Sequence, residues 1–414
     1  MKHVVVVGAG IVGLSVAHFL LKEGARVTLV DRDPEGDKTS FGNAGGIAVT
    51  EVIPASVPGL LLKVPGWLLD PLGPLALRPA YAPRLIPWFW RFSQAGRPAE
   101  VARIATALAS INRRVYEDLL PLLAENGLSA ELHQQGALTV YESEAAYAKD
   151  ASQWQLKRAH GVEVVPLSGA EVRDMEPALA ATISRGVFTP QWSHINDPKV
   201  LVDKLRQALQ ARGLNIVTGQ VHDVLPTVGA TAVSVQLEGA RSLSADQAVI
   251  ACGAWSAILA ARVGDKVLLE SERGYNTTLA QPGVKLTREV IFAERHFVAT
   301  PLSCGLRIGG AAEFGGLEAK ANFKRSEALA RLAARYLPKL HTEGGRFWAG
   351  HRPATPDSLP VIGPSARNPN VIYAFGHGHL GLTQGATTGR LVNDLVHGKP
   401  LPIDIAPFAI TRFN

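Results

Sequence analysis

Near the start of the chain, Gly8-Ala9-Gly10-Ile11-Val12-Gly13 satisfies the pattern G-x-G-x-x-G, and an acid, Asp31, follows about twenty residues on. The three glycines permit a tight turn, close approach of a pyrophosphate to the backbone, and close packing of a helix on a strand, in that order. A helix opening in the turn offers free N–H groups and a positive dipole end to phosphates. Asp31 can accept hydrogen bonds from a ribose hydroxyl and would repel a 2′-phosphate, which disfavours NADP. The residues expected to hold the nucleotide here are Gly8, Gly10, Ile11, Val12, Gly13, Asp31 and Arg32.

That fingerprint alone does not separate NAD from FAD. The next segment, Thr39-Ser40-Phe41-Gly42-Asn43-Ala44-Gly45-Gly46, is a second run of small and hydroxyl residues. A flat isoalloxazine ring needs residues without bulk near one face and near N5, which residues 43–46 can supply; a plain Gly-rich loop is the other reading. Further on, FGHGHLGLTQGATTG (375–389) ends a strand and opens a helix. The N–H groups of Gly381, Leu382 and Thr383 would stabilise the negative charge of a reduced flavin at N1 and the C2 carbonyl. Arg352, flanked by Trp348, Gly350 and Pro353, is a planar bidentate donor suited to a carboxylate.

The elements that must position these residues alternate along the chain. HVVVV (3–7) reads as a buried parallel strand, the next residues as a helix stopped by Gly24, and RVTLVD (26–31) as a second strand. Helices are expected over 99–126, 144–160, 197–213 (Asp197 as cap, Pro198 in the first turn), 326–338 and about 383–397. Strands are expected over 136–143, in the run from residue 215 to Ile250, through 286–310 and over 371–376. In 51–92 the prolines are expected to break every long helix. The fold class expected is α/β: a Rossmann-like domain for FAD (1–50, 99–128, 196–264, 347–414) interleaved with an α+β substrate, or cap, domain built on an antiparallel sheet (51–98, 129–195, 265–346).

The segments VVVVGAGIVGLSVAHFLLKEGARVTLVDRD, TSFGNAGGI, AVIACGAWS, HRPATPDSLPVIG and FGHGHLGLTQGATTG occur in this order over nearly the whole chain. Together they resemble the D-amino-acid oxidase superfamily of flavoproteins, and within it the bacterial D-amino-acid dehydrogenases. The resemblance implies non-covalent FAD, oxidation of a Cα–N bond to an imine that hydrolyses to an oxo acid, and delivery of electrons to a quinone or an electron-transfer protein. It carries Gly8, Gly10, Gly13 and Asp31 to the ADP half, and Ser40, Asn43, Ala44, Gly45 and Gly46 to the pyrophosphate and flavin. Val221 falls by the adenine, and Ala251, Gly253 and Trp255 beside the dinucleotide. Gly381 and Thr383 fall at the helix end by the flavin pyrimidine, and Gly378 and Leu380 are further cofactor-binding positions. Arg352 falls on the substrate-carboxylate arginine, and Tyr275 and His379 at positions facing the pocket, where each is equally readable as a core residue. Where related amine oxidases place a tyrosine, this chain has Phe297, with His296 on the opposite face, which leaves open a cyclic amine such as D-proline as substrate. An oxygen-using glycine, sarcosine or D-amino-acid oxidase and an NAD-dependent dehydrogenase are the rival readings.

Composition bounds the rest. The 414 residues carry 47% hydrophobic and 19% charged residues and a formal charge of +6, with the positive residues scattered rather than massed, so nucleic acid is not an expected partner. Cys252 and Cys304 alone cannot make a disulfide framework, and a covalent flavin link has no support from either. The start runs straight into a strand rather than a leader, and no stretch reaches the length of a span, so a cytoplasmic protein is expected. In the Pro-rich stretch, Leu60, Leu61, Leu62, Trp67, Trp88, Phe89 and Trp90 with Arg84 and Arg91 read either as a cap over the pocket or as a basic-edged patch on the inner membrane face.

Overall fold

The computed structural model describes residues 1–69, 73–226 and 232–413. Its first sheet has six strands in the order Asn215–Thr218, Arg26–Asp31, His3–Val7, Gln247–Ile250, Val371–Phe375 and Val361–Pro364. The first five run parallel and the last pairs antiparallel. Val4, Val5 and Val6 are buried on both faces, which is why this strand is an unbroken apolar run rather than an alternating one. Helix Ile11–Lys22 packs on one face against the last helix, Gly381–His397. The two backbones meet closely because a Cβ on Gly389 would lie 2.6 Å from the Ser15 carbonyl oxygen. A three-stranded antiparallel sheet, Val221–Pro226, Val233–Leu237 and Arg241–Ala245, sits beside it.

The second large sheet has nine strands. Along its length run Arg346–Ala354, Glu270–Leu279, Gly305–Phe314, Phe297–Leu302, Glu289–Phe292, Ala137–Tyr141, Arg185–Thr189 and Val165–Ser168, with Leu75–Leu77 beside Gly305–Phe314. It is antiparallel except where Glu289–Phe292 meets Ala137–Tyr141 and where Leu75–Leu77 joins. Helix Lys324–Ala333 covers one face over a core containing Tyr275, Phe297, Leu329 and Ala333. The other face looks toward the loop at residues 42–44. The small sheet Gly46–Ile47, Ser193–Ile195 and Leu132–His133 lies at the join.

Three expectations need correcting. The prolines at 51–92 do not prevent helices: Leu60–Leu69 contains Pro65 and Ala82–Ala95 contains Pro87. In the second helix Pro83 occupies the first turn, where no N–H is needed, and the N–H that Pro87 lacks would have reached only that turn. The aromatic group there is also divided. Trp88 and Phe92 are buried against Phe314 and Ala354, with the Trp88 indole N–H donating to the Ala354 carbonyl at 3.0 Å, whereas Trp90 and Ile86 are each 65% exposed. The Trp67 ring meets His296 edge-on, and the side chains of Leu61 and Leu62 lie outside the described residues. The stretch 144–160 is two helices, Glu144–Lys149 and Ala151–Ala159.

Candidate active site

At the end of the strand His3–Val7, Gly8 adopts φ +112° and a Cβ there would sit 2.5 Å from the Ala251 carbonyl oxygen. Gly13 is tighter still, with its would-be Cβ 1.9 Å from the Gly8 oxygen. Gly10 is different: a Cβ there would meet only Ser40 Oγ, at 3.5 Å, so this position opens onto a cleft. The helix that follows has no side-chain cap at Gly10; the Ile11 N–H donates to Ser40 Oγ at 3.1 Å and no side chain caps the rest of the turn. Uncapped donors over a bare backbone cradle fit a diphosphate. Asp31 braces the turn, accepting from the Ala9 N–H at 2.7 Å and the Asp33 N–H at 2.9 Å, with Lys38 3.7 Å away.

Gly8, Gly10, Ile11, Val12, Asp31, Arg32 and Ser40 share this cleft with Val221, Ala251, Gly253 and Trp255. The Arg32 guanidinium lies 4.1 Å over the Trp255 ring, a cation–π contact that fixes both side chains at the cleft wall. Asn43, Gly378 and Gly381 reach the same cleft from its other end. Gly13 packs behind it.

The loop after Ser40 is shaped by its own residues and held by the nine-stranded sheet. Asn43 Oδ1 accepts from the Gly45 N–H at 2.7 Å, and Gly45 has φ +101°. Buried Arg307 donates to the Phe41 and Asn43 carbonyls at 3.0 and 2.6 Å and to Thr278 Oγ1 at 3.1 Å. Asn276 donates to the Gly42 carbonyl at 2.8 Å. Ala44 faces Gly309, whose missing side chain keeps that approach open. From the other side, Thr383 Oγ1 accepts from the Ala48 N–H at 2.9 Å and lies 3.5 Å from the Gly46 carbonyl oxygen. Leu380 is the residue before the last helix, and no side chain caps that helix start. An uncapped helix start against a loop of bare backbone fits the electron-rich edge of a flavin. His377, buried with Nε2 2.9 Å from Thr388 Oγ1, is held neutral because burial lowers its pKa to about 3.

Beyond this loop stand charged side chains. Arg352 crosses the strand beside it, where a Cβ on Gly274 would fall 2.5 Å from Nη2, and donates Nη1 to Glu272 at 2.7 Å. The guanidinium expected to hold a carboxylate therefore already holds one, with no hydrogen-bond partner for Nη2 and Nε among the described residues. His379 is open to solvent, but close packing still holds its imidazole below the usual pKa; Glu51, Glu272, Arg352 and Lys157 all act on it. Glu51 pairs with Lys157 at 2.6 Å; burial pushes its carboxyl up, and the ammonium outweighs that and holds it below the usual range. Buried Glu289 lies against Gly46, its Oε2 2.3 Å from where a Cβ would be, and accepts from the Trp192 indole N–H at 3.2 Å.

Tyr275 is not in this group. Strand neighbours alternate faces, so Asn276 reaches the loop while Tyr275 points into the core under helix Lys324–Ala333. There its hydroxyl donates to Glu313 and accepts from the Asn322 N–H. Phe297 is in the same core, stacked on Phe292 at 4.2 Å, so its identity says nothing about the substrate. His296 does not lie on a strand face at all but in a left-handed turn, φ +55°, just before it. No local pattern points to Glu51, Lys157, Glu272, Glu289 or Arg307, whose partners lie 29 to 266 residues away.

Comparison with known proteins shows the family and the fold. The profile of the FAD dependent oxidoreductase family, DAO, matches residues 3–395. A D-amino-acid oxidase of Bradyrhizobium diazoefficiens is 37% identical over 419 residues, covering 100% of this chain and 99% of its own. A D-amino acid dehydrogenase of the same organism is 30% identical, over 99% of this chain and 98% of its own. Among solved structures, glycine oxidase from Geobacillus kaustophilus has the same fold, with a TM-score of 0.75 at 23% identity over 100% of this chain and 99% of its own. The chain belongs to the DAO family of FAD-dependent oxidoreductases and is an enzyme that oxidises amino acids.

Proposed function

We propose that the chain oxidatively deaminates a small D-amino acid and passes the electrons to a quinone or an electron-transfer protein. The observation that carries this is Arg352 laid across Gly274, with His379 beside it, at the mouth of a loop suited to a flavin. Bound FAD would supply the two-electron acceptor, taking hydride from the substrate Cα at N5 and leaving an imine that water converts to an oxo acid.

The chain's own residues orient the substrate. Arg352 offers Nη2 and Nε to the substrate carboxylate while its Nη1 donates to Glu272. The bare backbone at Ala44 to Gly46 keeps the reacting face clear, and Arg307 and Asn276 fix that backbone from behind. Both thiols stay protonated, since burial raises the pKa of Cys252 to about 11 and raises that of Cys304, which supports a non-covalent flavin. The names of the two relatives, both acting on D-amino acids, support the stereochemistry.

Oxygen as acceptor is the second reading, favoured by the name of the 37% identical relative. Peroxide release measured against quinone-analogue reduction, with the same D-amino acid, separates the two. Exposed Trp90 and Ile86 on helix Ala82–Ala95, with Arg84 and Arg91 on the same helix, support delivery to a membrane acceptor from a peripheral position. No helix among the described residues is long and apolar enough to cross a membrane. Sedimentation with anionic vesicles tests this, and loss of binding in Trp90→Ser with Ile86→Ser is expected.

A further inference from the structure

We propose that Glu289 is the proton acceptor of the reaction, taking the proton that a substrate ammonium must lose before hydride can leave Cα. The inference deepens the function proposed above and rests on it. In the step, one N–H bond of the ammonium breaks and an O–H bond forms on the Glu289 carboxylate. The electron pair stays on nitrogen and later closes the C=N bond as hydride departs.

Four observations carry it. Glu289 is 3% exposed at the start of strand Glu289–Phe292, yet no cation pairs with it among the described residues. Its hydrogen-bond partner is the Trp192 indole N–H, on Oε2; among the described residues Oε1 has no hydrogen-bond partner. Buried carboxyls kept for structure are normally paired or fully hydrogen-bonded. Third, the carboxyl touches the backbone of Gly46, in the loop on which the flavin would lie, and only a glycine there leaves it room. Fourth, the charged group that acts on it is another carboxylate, Glu51, whose charge is already met by Lys157.

This setting makes the carboxyl a base of the right strength. Burial first, and Glu51 second, push its pKa up to about 7, against the lowering effect of the Trp192 bond. A group poised near the working pH is the effective acceptor. Arg352 and His379 cannot do this work, the first because a guanidinium only donates hydrogen bonds and the second because close packing weakens it as a base.

The test uses the FAD-loaded enzyme without oxygen, with flavin bleaching by a small D-amino acid followed from about pH 6 to about pH 10. The wild type is expected to slow on the acid side with an inflection near neutrality. Glu289→Gln should abolish that inflection and slow bleaching about 100-fold at neutral pH, with recovery where the substrate amine loses its own proton. Trp192→Phe, which removes the bond that lowers the pKa, should move the inflection upward. Independently of turnover, the infrared carbonyl band of a protonated carboxyl should titrate near neutrality in the wild type and vanish in Glu289→Gln. An unchanged inflection in Glu289→Gln, or an unmoved one in Trp192→Phe, overturns the proposal. If no amino acid bleaches the wild-type flavin while the infrared band behaves as expected, the function proposed above fails and the assignment of the titrating carboxyl stands.

Discussion

The two ends of the cleft are built from different materials. At the dinucleotide end the working groups are backbone atoms, exposed because Gly8, Gly10 and Gly13 carry no side chain, and braced by bonds within the first 40 residues. At the end proposed for the substrate the groups are side chains drawn from distant strands and helices, with Arg352 set against Glu272 and Lys157 against Glu51. Backbone geometry tolerates almost no change, whereas paired charges can be retuned one at a time. One cofactor end can thus serve many substrates.

The steepest way to break the contrast is at Gly13. Gly13→Ala puts a methyl 1.9 Å from a backbone oxygen and should cost several kcal/mol, on the order of 3 to 5, yielding little folded protein. Gly10→Ala, whose methyl meets only Ser40 Oγ at 3.5 Å, should fold with a near-native melting temperature yet hold FAD about 10-fold or more weakly. Absorbance of bound flavin per protein, read beside thermal melting, separates the two.

Next comes the substrate end. Arg352→Met should raise KM about 100-fold, a loss of ~3 kcal/mol, with flavin content unchanged. Glu272→Gln removes the carboxylate that competes for the same guanidinium, so KM should fall by about 3-fold. A rise instead would show that Glu272 serves chiefly to orient Arg352. Tyr275→Phe, which loses two hydrogen bonds in the core and touches no substrate, should lower stability by ~1–2 kcal/mol and leave KM within about twofold.

The smallest effect is in pH. His351, between Ser271 and the Trp255 ring, has its pKa lowered to about 4, first by burial and then by Arg273 and Arg32. Between that value and the ordinary 6.5 the unfolded chain binds a proton that the folded one refuses, so stability is lost as pH falls through this window. Because the ring is partly solvated, His351→Gln should recover only ~1 kcal/mol or less of that loss. Melting temperatures of both proteins from about pH 7 down to about pH 4 check it.

The same contrast explains what the sequence made legible. The turn at residues 8–13, the acid at 31 and the loop at 43–46 follow local rules, glycine for close approach and small residues for a flat ring, and the structure places them around one cleft or its loop. Arg352 is legible through its neighbours, but its partner is not, since nothing near residue 352 names Glu272. Tyr275 went astray by one step of strand alternation: a register that sets Asn276 toward the loop turns Tyr275 to the opposite face. The helices in 60–95 are hidden in the sequence because proline breaks a helix only at some places in its turns, and composition does not show which.

The most direct test is to mix the purified FAD-loaded protein anaerobically with small D-amino acids and with their L-enantiomers, and to follow the visible flavin absorbance. Rapid bleaching by at least one D-amino acid, with the L-enantiomer inert, is the predicted result. A flavin-loaded protein that no small D-amino acid bleaches, or that L-enantiomers bleach equally well, would contradict it.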